Sequence, residues 1–310
     1  VTVPIDRGAT VTILSSSVMR PSIKAYALWP NNIQACPTPP EGITGRLLYL
    51  RDGSLSELSE QAQRFNITLE DAVIIMEFNT LNRWINAVKF GAKAIIFIEP
   101  EDTNRMEAQN KFLLTPLNIP RLYVLKEDGQ LLRSLAESGT YVRVDSSMRY
   151  ETVAAKNVIG VIEGSRFKDD IIVLSSYYDG WSIVPSIAPA ADEASGTATL
   201  LEIARFFKLH PPVRTVWFVA FSGHWEALAG SRDFVETHYF DPEVQANTKR
   251  IWMQINLDIS TDSSTLAYVP YGTGYTDPYF AGFFDAIFPI FQRDIPNLSL
   301  IHISEPTRPY

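Results

Sequence analysis

From Gly45 onward the chain alternates short apolar runs with stretches whose apolar residues recur at helical spacing. The run Arg46 to Leu50, bounded by Gly45 and Gly53, predicts a buried strand. Ser54 to Phe65 sets Leu55, Leu58, Ala62 and Phe65 on one helical face, with Ser54 as the N-cap. Further strands are predicted over 71–78, 94–98 and 119–124, and helices over 81–90 and 128–137. Gly91 stops the first of these helices, and Pro100 closes the strand before it. The stretch 101–111 reads as a polar connection.

A second pattern follows. Strands over 140–144 and 153–162 are expected to enter a second domain. Asp169 to Leu174 ends in an apolar run, as a central strand does. Residues 193–209 predict a strong helix, with Leu200, Ile203, Ala204 and Phe207 as its stripe and Pro211-Pro212 as its stop. A central strand over 214–221, a helix over 225–238, a buried strand over 251–258 and a buried helix over 278–291 complete the pattern. Strands alternating with helices imply an α/β fold with a mostly parallel central sheet flanked by helices.

Composition narrows the classes. The 310 residues are 46% hydrophobic, which provides ample core for about two domains. A formal charge of −8 argues against nucleic-acid binding, which needs a basic face. No uninterrupted apolar stretch is long enough for a membrane span. The single cysteine, Cys36, excludes an intrachain disulfide and reads as a small buried hydrophobe. Asn66-Ile67-Thr68 fits a glycosylation sequon, a triplet common by chance. The segment from Leu298 onward lacks periodicity and resembles the translation of a sequencing adapter, so residues 298–310 are expected to be a non-native tail. The tail leads to the expectation of a natural chain truncated after Asn297, and the opening Val1 in place of Met to that of a missing N-terminal segment.

In an open α/β sheet, ligands sit beyond the carboxyl ends of the strands. Asp179, Asp192 and Asp258 fall there, and carboxylates from different strand ends can converge on one cation. Each also has a plainer reading. Asp179 suits a turn before Gly180, Asp192 a helix N-cap, and Asp258 a strand end.

The pieces Asn157-Val158-Ile159-Gly160, Asp192-Glu193-Ala194-Ser195-Gly196, Leu228-Ala229-Gly230-Ser231 and Ile255-Asn256-Leu257-Asp258 resemble the two-zinc aminopeptidase and carboxypeptidase family, metallopeptidase family twenty-eight. Non-peptidase relatives such as transferrin receptor and nicastrin belong to that family. The resemblance implies a zinc exopeptidase-like domain over 141–297, reached from an N-terminal segment, 1–39. Phe90 to Ile96 and Ile119-Pro120 resemble a small protease-associated α/β domain, expected over 40–140.

Carried over residue by residue, the resemblance assigns Asp192 as the bridging metal ligand, Asp258 as a second metal ligand, and Asp179 as the acid that orients the first histidine ligand. That histidine position holds Tyr177, and a phenol, titrating near ~10, is a poor zinc ligand at neutral pH. The family's paired glutamates, base then ligand, fall on His224 and Trp225. Trp cannot ligate a metal. A one-residue slip to Glu226 would turn the side chain by ~100° on a helix and misplace Leu228 and Gly230. The expectation is a pseudo-peptidase that binds a peptide or protein and holds no cofactor. An altered centre using zinc on Asp192, Asp258 and His224, or metal-free acid–base work by Tyr177, His224 and Asp179, are the alternatives. The resemblance also implies an extracytoplasmic setting.

Overall fold

The structure, a computed structural model, describes residues 1–15, 21–187, 191–246, 249–259, 267–268, 289–290, 293 and 299–300. The chain divides into two compact units. One comprises Val1–Lys156, Gly180–Pro189 and Gly223–Ala229; the other comprises Asn157–Asp179, Ala190–Ser222 and Gly230–Tyr310.

The first unit is built on a closed seven-stranded barrel. Its strands are β2 (Ala9–Ile13), β3 (Ser22–Ala27), β4 (Ile43–Leu50), β5 (Ala72–Glu77), β6 (Ala94–Ile98), β7 (Arg121–Val124) and β8 (Tyr141–Ser146). Strands β4 to β7 run parallel, and β2, β3 and β8 close the ring antiparallel. The stretch before residue 40, set apart in the sequence as a leading segment, thus supplies two barrel strands. The strand expected to enter the second domain at 140–144 is β8, which pairs instead with β2 and β4. A separate ribbon joins β1 (Thr2–Ile5) to β9 (Arg149–Thr152).

The parallel strands are buried on both faces, which is why they read as unbroken apolar runs. Leu47, Val73, Ile75, Ile96 and Val124 pack on one side with Leu132 and Ala136 of α4 (Lys126–Ala136). On the other side, Leu48, Ile74, Ile95 and Phe97 meet Leu58 of α1 (Leu55–Phe65) and Trp84 of α2 (Trp84–Lys89). Ser54 caps α1 as its sequence predicts, accepting from the Glu57 amide. The polar connection at 101–111 contains a short helix, α3 (Arg105–Gln109), whose Glu107 is buried. Glu107 and Lys111 grip Leu81, a non-glycine residue at φ 48°. The Leu81 amide donates to Glu107 Oε2 at 2.7 Å, and Lys111 Nζ donates to the Leu81 carbonyl at 2.8 Å.

In the second unit, a four-stranded sheet has the order β10 (Val158–Ile162), β12 (Arg214–Phe221), β11 (Phe167–Tyr177), β13 (Arg250–Asn256). The β11–β12 and β11–β13 pairs are parallel, and the β10 edge is antiparallel. Leu174, Val216 and Phe218 pack beneath Leu200, Ile203 and Phe207 of α5 (Ala191–Leu209). Val173, Val219 and Phe221 face Phe234 of α6 (Ala229–Phe234) on the opposite side. Past α6 come a π-helical turn, Val235–Tyr239, and a short α7 (Pro242–Gln245).

The helix expected over 225–238 begins only at Ala229. Residues 223–228 form a turn in which Gly223, Ala227 and Leu228 all have positive φ, a conformation that ends helical hydrogen bonding. The helix expected over 278–291 lies outside the described residues, save Pro289 and Ile290, which are helical. Of the expected non-native tail, Ser299 and Leu300 pair in parallel with Ala267 and Tyr268; the remainder, with His302, also lies outside them. No helix among the described residues is long and apolar enough to cross a membrane.

Candidate functional site

The carboxyl ends of β11 and β13 lie side by side, because these strands pair in parallel register up to Ser175 and Asn256. The Leu257 amide then donates to the Ser175 carbonyl at 2.7 Å, extending the pairing one step. Beneath this step Ser175 is buried, and its hydroxyl donates to Asn256 Oδ1 at 3.0 Å while accepting from Gln254 Nε2 at 3.0 Å. A polar network satisfied on both sides holds the two strand ends rigidly together.

The adjacency brings two predicted residues into contact across 81 positions of sequence. Tyr177, at the end of β11, donates its hydroxyl to Asp258 Oδ1 at 3.4 Å. Asp258 is exposed and Tyr177 half-buried. Asp179 follows two residues after Tyr177, half-buried, before Gly180. Asp192 falls in the first turn of α5, one residue inside the helix and not at a cap position.

Gly196 shows why α5 starts where it does. A Cβ there would stand 2.3 Å from the Leu257 carbonyl oxygen and 2.4 Å from Ser176 Oγ. Only a glycine lets the helix approach the strand ends so closely. Its neighbours tie it down: Ser195 Oγ donates to the Ile259 carbonyl at 2.5 Å, and Thr197 Oγ1 to the Tyr177 carbonyl at 2.7 Å. These Ser, Gly and Thr positions fix the rim, and sequence reasoning had not given them that job.

Asn157 performs a second positioning task. Its amide nitrogen donates to the Gly230 carbonyl at 2.8 Å, and its Oδ1 accepts from the Ser222 amide at 3.2 Å. The Gly230 amide itself donates to the Ser222 carbonyl at 3.0 Å. A side chain on Gly230 would collide with that carbonyl at 2.1 Å. Asn157, Ser222 and Gly230 therefore pin the start of α6 to the end of β12.

His224 and Trp225 belong to the turn at 223–228. The Leu228 amide donates to the His224 carbonyl at 3.1 Å, and the Ala229 amide to the Gly223 carbonyl at 2.9 Å. The two rings meet edge to face, 5.0 Å apart, and Trp225 lies 6.2 Å from Trp181, which meets Trp29 at 5.8 Å. This three-tryptophan row was not anticipated, because its members come from distant parts of the chain. Trp225 and Glu226 sit in this turn, so their side chains do not follow the ~100° helical step.

The family resemblance would call for a pair of zinc ions. Such a centre needs about five ligands, one of them bridging. The resemblance assigns the first histidine position to Tyr177, whose hydroxyl donates to Asp258, and a protonated phenol competes with a cation for a carboxylate. A tryptophan stands at a further ligand position. Among the described residues no group of three or more His, Cys, Asp and Glu side chains gathers to hold a metal.

Among the described residues, the other two histidines are occupied elsewhere. His210 stacks on Phe206 at 4.4 Å, and His238 packs against Phe234 at 4.8 Å and Trp217 at 5.3 Å.

Comparison with known proteins places this rim in a family. Residues 157–295 match the model of Peptidase family M28. The chain is 29% identical over 175 residues to aminopeptidase YwaD of Bacillus subtilis, covering 56% of this chain and 35% of that protein. It is 31% identical over 133 residues to mouse aminopeptidase NAALADL1, covering 41% of this chain and 16% of that protein. The chain thus spans about a third or less of the length of these relatives. A crystal structure of a peptidase M28 precursor from Shewanella amazonensis superposes with a TM-score of 0.49 at 17% identity, over 97% of this chain and 68% of that one. The family resemblance carried by Asn157, Gly196, Gly230 and Asp258 is borne out: residues 157–295 are a Peptidase family M28 domain.

Proposed function

We propose that this chain is a zinc-exopeptidase-like protein of the aminopeptidase type whose metal centre has been lost, and that it acts by holding a peptide or a protein. The single observation that carries the reading is the Tyr177 hydroxyl donating to Asp258. A phenol at the first ligand position turns a metal-binding carboxylate into a hydrogen-bond acceptor. Asp179, Asp192 and Asp258 then remain as retained family positions, while in the sequence Trp225 takes the place of a ligand carboxylate. In this reading the four-stranded sheet is part of a mostly parallel exopeptidase sheet, and the barrel is a protease-associated-like domain. In this reading the protein works in an extracytoplasmic setting, as the family resemblance implies.

A second reading has its own support: the three aspartates are retained, and relatives are named as aminopeptidases and probable zinc metalloproteases. One experiment separates the two. The protein is equilibrated with zinc and dialysed, then zinc content and hydrolysis of aminoacyl anilides are measured beside Asp192→Ala and Asp258→Ala. The binding reading expects no stoichiometric zinc, no hydrolysis, and no change in either variant. About two tightly held zinc ions, lost in the variants together with hydrolysis, would establish an altered metalloenzyme instead. Metal-independent hydrolysis lost in Tyr177→Phe or His224→Ala would assign acid–base work to those residues.

A further inference from the structure

The barrel unit carries a basic groove on a chain that is otherwise acidic. A cavity of about 1110 Å³ opens between the outer wall of the barrel, the turn after β1 and the start of β9. That volume lies just above the usual ~300–1,000 Å³ range for ligand sites, with room for a short peptide. The strand register builds its wall. Thr10 of β2 stands opposite Lys24 of β3 on one side and Asp145 of β8 on the other. Successive side chains alternate between faces. Val11 and Ile23 therefore fill the barrel while Thr10 and Lys24 face outward.

Two separate positive centres line the groove. One is the pair Arg7 and Arg149. Both guanidinium groups grip Glu151, with Arg7 Nε at 2.8 Å from Oε1 and Arg149 Nε also at 2.8 Å from Oε1. Two arginines on one carboxylate leave one net positive charge, and hold the Glu151 carboxyl at about 2, well below its ordinary range. Each guanidinium has five N–H donors, more than Glu151 alone can accept. The other centre is Lys24, whose ammonium lies 4.7 Å over the Tyr26 ring. The acid on the wall, Asp145, is already bound by Arg143 at 2.9 Å. Along the rim, Pro37, Pro39 and Pro40 provide rigid apolar surface beside Met148.

We propose that this groove binds an acidic peptide segment with two carboxylates spaced apart, one set on the Arg7–Arg149 pair and the other on Lys24. Two centres on different strands call for a ligand with two separated charges, not a single small anion. The proline rim suits an extended peptide backbone with an apolar residue between the acids. The site is independent of the M28 domain and of whether that domain hydrolyses anything.

The test is fluorescence anisotropy on the full chain. The probe is a labelled hexapeptide with two glutamates separated by apolar residues. The controls are its double-glutamine analogue and a sulfated oligosaccharide. Lys24→Gln and Arg149→Gln are both exposed changes, and circular dichroism checks that each variant keeps its fold. The expected result is saturable binding of the diacidic peptide that weakens with salt. Each single variant should bind roughly three- to fivefold more weakly and the double variant roughly tenfold. Equal binding of the glutamine peptide, unchanged binding by the double variant, or binding of the sulfated sugar alone would overturn the proposal.

Discussion

Tyr177 donates its hydroxyl to Asp258 across 3.4 Å, joining the ends of two parallel strands that are 81 residues apart in sequence. The bond gives the exposed Asp258 carboxylate a protonated phenol as its partner. Tyr177→Phe removes the bond and keeps the ring packed beside Ile171 and Val173. The contact is long and solvent-accessible, so the loss of stability should be small, about 0.5–1 kcal/mol. Urea unfolding would measure it, and a cost above about 3 kcal/mol would mean that the hydroxyl anchors more than Asp258.

Gly196 sets the distance between α5 and the strand ends. Gly196→Ala places a methyl 2.3 Å from a backbone oxygen that cannot swing away. Helix propensity alone would favour alanine by about 1 kcal/mol. Overpacking against the backbone costs about 1–3 kcal/mol and should win. Thermal unfolding would show a lower midpoint; an unchanged or raised midpoint would mean that the helix start shifts freely.

Asn157 holds Ser222 and Gly230 through both ends of its amide. Asn157→Asp keeps the acceptor but turns the donor into a second oxygen facing the Gly230 carbonyl. Asn157→Ala removes both bonds and leaves two partly buried backbone groups short of partners. Each change should cost about 1–3 kcal/mol. Chemical denaturation, with proteolysis at 222–230 as a local readout, would detect it.

The parts of the fold that were legible in the sequence are those with a strong local signature. Ala94 to Ile98 reads as a strand because both of its faces are buried, and 193–209 reads as a helix because its stripe packs on one sheet face. Buried charge hid α3, since Glu107 and Lys111 look like surface residues until Leu81 is seen between them. Residues 225–228 fit the helix expected over 225–238 because Ala227 and Leu228 suit a helix, and nothing in either side chain signals a left-handed backbone. At the site, strand-end placement named Asp179, Asp192 and Asp258, and the family resemblance named Tyr177. The bond between Tyr177 and Asp258 depends on strand order, which periodicity does not encode.

Lys111 gives the barrel unit a pH dependence of predictable sign. Its ammonium is buried, and burial lowers its pKa from 10.5 to about 8, opposed by the nearby Glu107 carboxylate. Below pH 8 both folded and unfolded chains carry the proton, so the cost of the buried charge is fully present. Between about 8 and 10.5 the unfolded chain binds more protons than the folded one, and stability rises with pH by up to about 1.4 kcal/mol per unit. Burial pushes the Tyr49 and Tyr123 phenols above their ordinary 10.0. The unfolded chain loses those protons first, so above pH 10 they lower stability as pH climbs. Stability measured by urea unfolding should therefore increase from pH 8 and peak near 10. Lys111→Met should abolish the rise and lower stability at neutral pH, because Glu107 loses the ammonium beside it. A flat profile in the parent protein, or a rise that persists in Lys111→Met, would assign the titration to another group.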